Sequence, residues 1–468
     1  MNSIKRQSWG FNLFAFTWAV AGLIHQLSFT DWRWYDVEGL LLSAATLWVL
    51  FKPSSWQRFA IFLVIDWVSV AWKFPVHPNH IIFSWVVNGT LLAALLAVLQ
   101  KGSTETNVAA RWYEAFAPWL RIELCMLYFF TVFHKLNFSY FDLDLSCAAR
   151  MHLEIIDRMP VLPAADWAQH VAVYGTLIIE TAIPLLLIFG PTRPAGVILG
   201  MLFHGLLALH GHIGLFSFSS VMMSLFTVFL PTGAVAELQP PKFLRKPWSW
   251  GLYGMGVILL LWAIRKWLPP GLHLEEALAN KWKVGFLFFY GYLGVALLMF
   301  IQLSKTALKE IQAAGPGNWR ARPLLIAFPM MLMVNGFGPY IGLRTETSFS
   351  MFSNLQTENG RTNHLIVPAG IQITNWQYDL VEIIDSSDSE LNSSRDNDLF
   401  AVYLELRRVR TTAGSNFWVT FRRNGNIDTF EMARPETYGA LPALGFMARR
   451  YFYFRAVERD PMQVRCKH

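Results

Sequence analysis

Apolar stretches long enough to cross a bilayer recur along this chain from residue 11 to about residue 342, and there they stop. A helix needs about 20 mostly apolar residues to traverse the hydrocarbon core. At that length the candidates are 11–29, 37–51, 59–74, 81–99, 119–137, 171–189, 194–209, 213–230, 251–268, 284–303 and 323–341. The stretches at 37–51, 59–74 and 194–209 are short. As tilted half-helices or re-entrant pieces they would lower the count from eleven to nine without moving the C-terminal end to the other side.

From residue 343 the pattern changes to short runs rich in β-branched and aromatic residues, separated by turn signals. Residues 364–368, 380–384, 399–406 and 417–421 read as strands. Asn424-Gly425 is a hairpin turn signal, and residues 385–398 read as a Ser/Asp/Asn loop. The expected architecture is therefore an all-α polytopic membrane bundle of about 9–11 helices over residues 1–342, followed by a small β-rich domain over 343–468. No internal repeat is visible.

Composition supports the bundle: 54% of residues are hydrophobic and 15% charged, with 37 Phe and 20 Trp. The net charge of +7 does not point to nucleic acid, because the basic residues form no clustered stripe. They fall instead on alternate loops, at Lys5 and Arg6, Lys52 and Arg58, Lys101 and Arg111, Arg193, Lys242 to Lys246, and Lys305 to Arg322. By the positive-inside rule those loops are cytoplasmic. The N-terminus is then cytoplasmic and the C-terminal domain extracytoplasmic, although the loop 269–283 fits poorly. Residues 1–10 lead straight into a full-length span with no cleavable signal pattern, so the first helix is expected to be retained.

This topology puts all twelve histidines on the non-cytoplasmic side. His25, His134 and His204 lie at or near helix ends, with His210 and His212 just beyond, and His77 and His80 precede the fourth helix. They either converge on a site or simply suit an interface. No HxxxH or ExxH pair stands on one face with a carboxylate, so no metal site is expected. Of the three cysteines, Cys147 and Cys466 both fall on the outer, oxidising side, where they are either bonded or unpaired thiols. Cys125 reads as a packing residue inside the fifth helix.

His134-Lys135 closes the run Leu124 to Phe133, which is otherwise almost wholly apolar. An ionisable group at membrane depth costs roughly 2.5–3.5 kcal/mol even on lenient scales and marks a site by default. Lys135 either extends its ammonium into water at the helix end or is held inside the bundle, where desolvation disfavours an ammonium and an amine can act as a general base. Glu180, three residues before Ile183-Pro184, sits deep in its helix and is a candidate partner for Arg121 or Lys135. Arg121 is otherwise an ordinary topology anchor, and His80 an interfacial residue after Pro78-Asn79.

Taken in order, Asn79-His80 opening a helix, Leu120-Arg121, Lys135-Leu136, Glu180 within Leu177 to Thr181, and His204 followed by Ile213 to Ser217 resemble the core of the vitamin K-dependent gamma-glutamyl carboxylase family. More generally they resemble the horizontally transferred transmembrane (HTTM) domain shared by its bacterial relatives. The resemblance covers about residues 10–310, and Ser350 to Leu355 also looks like bacterial members of the wider family. It implies a reduced quinone that is deprotonated by a lysine and reacts with dioxygen, giving a strong base that removes a proton from a glutamate, which is then carboxylated.

By that resemblance Lys135 is the lysine, His80 an active-site histidine, and Asn79, Arg121, His134, Glu180 and His204 are pocket residues. The cofactor is a vitamin K-type hydroquinone, and the partners are the bilayer and a peptide or protein substrate at the outer face. The family's Trp and Gly after the lysine are replaced by Asn137 to Phe141, its polar stretch before the Ile-Gly-x-Phe element by Leu209 to His212, and its large lumenal region has no counterpart. Quinone chemistry is therefore the firmer expectation and carboxylation the weaker. The alternative function is a non-catalytic membrane component that assists maturation or secretion of a partner protein.

Overall fold

The computed structural model describes residues 3–30, 36–75, 77–100, 108–157, 160–238, 246, 249–257, 259, 281–313, 323–434, 441–459, 464 and 466. The fold is mostly helical, with one small antiparallel sheet near the C-terminus. Every predicted span coincides with a helix except 251–268, which lies largely outside the described residues, as do His273 and His468.

Among the described residues, four helices are long and apolar enough to cross a membrane alone: Asn79–Leu99, Val108–Lys135, Asp166–Ile188 and Pro323–Ile341. A fifth crossing would need Gly285–Ile301 and Lys305–Ala313, which meet at 97°. The expected nine to eleven spans are thus more uneven than their hydropathy suggested. Val37–Phe51, Arg193–Ala208 and Ile213–Phe226 have only 15, 16 and 14 residues, and Trp56–Lys73 carries Arg58, Asp66 and Lys73.

The chain divides into two compact units, one of Met1–Trp72, His80–Met126 and Ile179–Met330, the other of Lys73–Asn79, Leu127–Ile178 and Met331–His468. In the first, Phe11, Phe14, Phe59, Trp112 and Phe116 stack in one buried aromatic cluster. Close helix approach is made possible by glycine: a Cβ added at Gly200 would overlap the Phe226 ring. Packing of this kind replaces the hydrophobic drive that is absent between helices in lipid.

In the second unit, β1 (Leu380–Ser386), β2 (Leu399–Val402), β3 (Trp418–Arg423), β4 (Asn426–Glu431) and β5 (Val457–Glu458) form a sheet of order β4-β3-β1-β2-β5, every neighbouring pair antiparallel. Its core joins Val381, Ile383, Val419, Phe421 and Phe430 to Leu391, Leu406 and Val409 from helices. The predicted strands at 380–384 and 417–421 are present, and Asn424 and Gly425 turn the hairpin with φ of 50° and 84°, as a type I′ turn requires.

Two of the expected strands and the expected 385–398 loop differ in the structure. Residues 364–368 form no strand; His364 makes only an isolated bridge to Asn137. The run 399–406 is a strand only to Val402, after which Tyr403–Thr412 is helical, because Tyr403, Leu406 and Val409 bury one face at helical spacing. The 385–398 loop contains a helix, Ser389–Asp396, whose N-cap Asp388 accepts from the Glu390 and Leu391 N–H groups at 3.0 Å each.

Candidate functional site

The candidate residues fall in both units. In the first, His80 opens the Asn79–Leu99 helix and is buried. Its ring lies 6.1 Å from that of His25 and 6.4 Å from that of Phe218. His25 Nδ1 is 3.1 Å from Ser217 Oγ, and His204 Nδ1 is 3.3 Å from Ser219 Oγ, with the His204 ring 5.3 Å from Phe218. Three histidines from three helices therefore gather on the Ser217–Ser219 turn of a fourth. That fourth helix, Ile213–Phe226, starts where His212 Nδ1 accepts the Gly214 N–H. Its remaining hydroxyls turn back on its own carbonyls, Ser220 to Ser217 and Ser224 to Ser220, as hydroxyls in an apolar setting do.

Arg121 donates from Nε to the Val228 carbonyl at 2.8 Å and lies over the Phe229 ring. It thereby serves carbonyls that the end of the preceding helix leaves open. Glu180 is buried in the Asp166–Ile188 helix, which contains Pro184.

Two acids in this unit, the half-buried Asp66 and the buried Glu123, escaped the sequence reading. Asn88 Nδ2 donates to Asp66 Oδ2 at 2.6 Å while its Oδ1 accepts from Trp18 Nε1 at 3.1 Å. Glu123, fully buried, accepts from the Thr90 hydroxyl. A carboxyl inside an apolar helix was visible as a signal, but its partner, 22 or 33 residues away, was not.

In the second unit, Lys135 closes the Val108–Lys135 helix and is only 5% exposed. Next to it, His134 has both ring nitrogens engaged: Nε2 is 3.1 Å from the Ser348 carbonyl and Nδ1 2.9 Å from the Tyr340 hydroxyl. A carbonyl only accepts, so Nε2 carries the proton and Nδ1 accepts from Tyr340. Asn79 Oδ1 accepts from the Phe349 N–H at 2.6 Å.

These contacts converge on the irregular buried segment 345–357, where Thr347, Phe349, Phe352 and Asn354 all have positive φ. A buried loop must find partners for each backbone polar group. Here side chains supply them: Asn335 to the Thr347 carbonyl, Asn137 to Ser353, Asn363 to Asn354. The Ser350 to Leu355 run singled out by resemblance lies within this segment, with Ser350, Ser353, Asn354 and Leu355 buried and Met351 and Phe352 half-buried. Arg455 adds an ion pair to the wholly buried Glu358 at 3.2 Å. Burial pulls the Arg344 guanidinium down to about 10 against the raising effect of Glu346, Tyr451 and Tyr453.

The expected pairing of Cys147 with Cys466 is present as a disulfide. Cys125 is a half-buried free thiol. Among the described residues no group of three His, Cys, Asp or Glu side chains is placed to hold a metal ion.

Residues 79–232 match the family model of the HTTM domain. That span includes Asn79, His80, Arg121, His134, Lys135, Cys147, Glu180 and His204 but not His25, Asp66, Ser350 to Leu355 or Cys466, and it agrees with the expected relation to gamma-glutamyl carboxylase. With its apolar helices, the match makes this an integral membrane protein. No curated protein and no solved structure matches the chain.

Proposed function

We propose that this protein is an HTTM-type membrane enzyme that deprotonates a lipophilic reduced quinone, with Lys135 as the general base. The burial of Lys135 supports this most directly. A lysine that merely anchors a helix end in water is exposed at its head, whereas Lys135 is 5% exposed at the close of an apolar helix. An amine held inside protein is the setting in which lysine serves as a base. In the step proposed, a quinol hydroxyl transfers its proton to the amine, leaving a quinolate for reaction with dioxygen. By the same resemblance His80 is an active-site histidine, and Arg121, Glu180 and His204 belong to the polar core. The alternating basic loops and the Cys147–Cys466 disulfide support an extracytoplasmic C-terminal segment.

A non-catalytic membrane component that assists a secreted partner is the second reading. It draws on His134 and Asn79, whose hydrogen bonds to the Ser348 carbonyl and the Phe349 N–H are structural ties to the 345–357 segment. The deciding experiment incubates the purified protein and Lys135→Ala with a reduced naphthoquinone and dioxygen and follows quinone species by mass spectrometry. Epoxide formed by the wild type and lost in the variant supports the enzyme. No conversion by folded wild type favours the second reading.

A further inference from the structure

The loop of residues 364–374 is fastened at both ends to helices that can cross a membrane. At its start His364 Nε2 donates to the Phe133 carbonyl at 2.9 Å, and the Leu365 N–H donates to the Leu136 carbonyl at 2.8 Å. His364 Nδ1 then accepts from the Ile366 and Val367 N–H groups at 3.1 and 3.0 Å, which fixes the turn into the loop. Both nitrogens are thereby used in the neutral form, in keeping with burial holding this imidazole below its ordinary pKa. At the other end the Ile373 N–H donates to the Ile341 carbonyl at 3.0 Å, and the Thr374 hydroxyl donates to Gly342. The loop therefore lies level with the closing residues of the Val108–Lys135 and Pro323–Ile341 helices.

What the loop displays there is apolar. Ile366 is 66% and Ile373 72% exposed, and Leu365 and Ile371 are exposed as well. Phe138, whose N–H donates to the Asn363 carbonyl at 3.0 Å, adds a fifth exposed apolar side chain. No Asp, Glu, Lys or Arg occurs from 364 to 378. A cluster of this size on a water-facing loop would be unusual, while apolar groups at the level of a helix end suit the boundary between headgroups and acyl chains. We propose that residues 365–373, with Phe138, form a bilayer-inserting loop that seats the C-terminal segment on the membrane surface.

The occupant is lipid, because the loop is continuous through its own backbone hydrogen bonds with two span ends. The test places a nitroxide at Ile366→Cys, at Ile373→Cys and, as an aqueous control on β4 of the sheet, at Ile427→Cys, where Ile427 is 59% exposed. The background is Cys125→Ser with the native disulfide intact, reconstituted in vesicles of phosphatidylcholine and phosphatidylglycerol. Power saturation against oxygen and a water-soluble nickel chelate then reports depth. Insertion predicts an oxygen-to-nickel collision ratio several-fold higher at 366 and 373 than at 427. Equal ratios at all three sites would place the loop in water and overturn the proposal. Exclusion of both reagents from 366 and 373 would mean coverage by protein and overturn it equally. All three labels sit on exposed side chains, and retention of the disulfide and of the monodisperse elution profile verifies folding.

Discussion

The side chain of Asn354 accepts a hydrogen bond from the Cys147 N–H at 2.8 Å and donates from Nδ2 to the Leu145 and Val464 carbonyls, each at 2.8 Å. One amide thus joins the backbone beside both halves of the disulfide, with Val464 two residues before Cys466. The covalent bond and the amide restrain the same junction, so their contributions should couple.

Removing the disulfide by Cys147→Ser with Cys466→Ser is expected to cost about 2–5 kcal/mol, since it closes a very long loop. Asn354→Ala leaves three backbone groups without that partner, each worth about 1–3 kcal/mol when buried. Thermal unfolding of the wild type, the serine pair, Asn354→Ala and the triple variant in detergent tests the coupling. Asn354→Ala should cost less once the disulfide is gone. Strict additivity would show that the amide and the bond act independently.

Asn137 is the second tie to the enclosed segment. Its Nδ2 donates to His134 O at 2.8 Å and to Ser353 O, and its Oδ1 accepts the Tyr140 N–H at 2.9 Å. Asn137→Asp keeps the acceptor and loses both donors, so it is expected to destabilise by several kcal/mol, on the order of a buried polar network losing a member. Asn137→Asp should also increase protease cleavage within 345–357. A variant that resists proteolysis as well as the wild type does would remove Asn137 from this role.

The helices were legible in the sequence because a run of apolar residues is a local property. The hairpin at Asn424-Gly425 was legible because positive φ at two successive positions selects those residues. Compartment left Cys147 and Cys466 either bonded or as free thiols, and only the packed chain brings the two together as a disulfide. The switch from strand to helix at Tyr403 was hidden because residues 399–406 are apolar enough to satisfy either period, and packing of Leu406 and Val409 on the sheet decides. Asp66 and Glu123 were missed for a different reason: an acid within a helix is recognised by its partner, and Asn88 and Thr90 look like ordinary helix residues until the helices are packed. The ties of His134 and Asn137 to residues 348 and 353 span more than two hundred positions, beyond any local pattern.

Glu405 gives the C-terminal segment a pH signature. Burial pushes its carboxyl up to about 7, against Arg408 and the Phe454 N–H, which favour the ionised form. Because the folded value lies above the ordinary 4.5, the stability Glu405 contributes is complete below that pH and is lost as pH rises through about 7. Glu405→Gln retains shape and acceptor but does not titrate. The wild-type unfolding temperature should therefore fall relative to that of Glu405→Gln between pH 4.5 and pH 7. Parallel curves for the two proteins across that window would mean that Glu405 ionises alike in the folded and unfolded chain.

Lys135 separates a catalytic role from a structural one through two substitutions that differ in what they keep. Lys135→Arg retains charge and reach, but guanidinium is not deprotonated in proteins and cannot serve as a base. Lys135→Met retains the length of the stem without any charge. If the amine removes the quinol proton, both variants should lose turnover by two or more orders of magnitude, the usual contribution of a general base being about 10²–10⁴-fold, while quinol binding changes little. If the ammonium is needed only as a buried positive charge, Lys135→Arg should keep most of the activity and of the unfolding temperature, and Lys135→Met should lose both. Single-turnover quinol oxidation measured beside thermal unfolding distinguishes the two, and an active Lys135→Arg protein would end the assignment of Lys135 as the base.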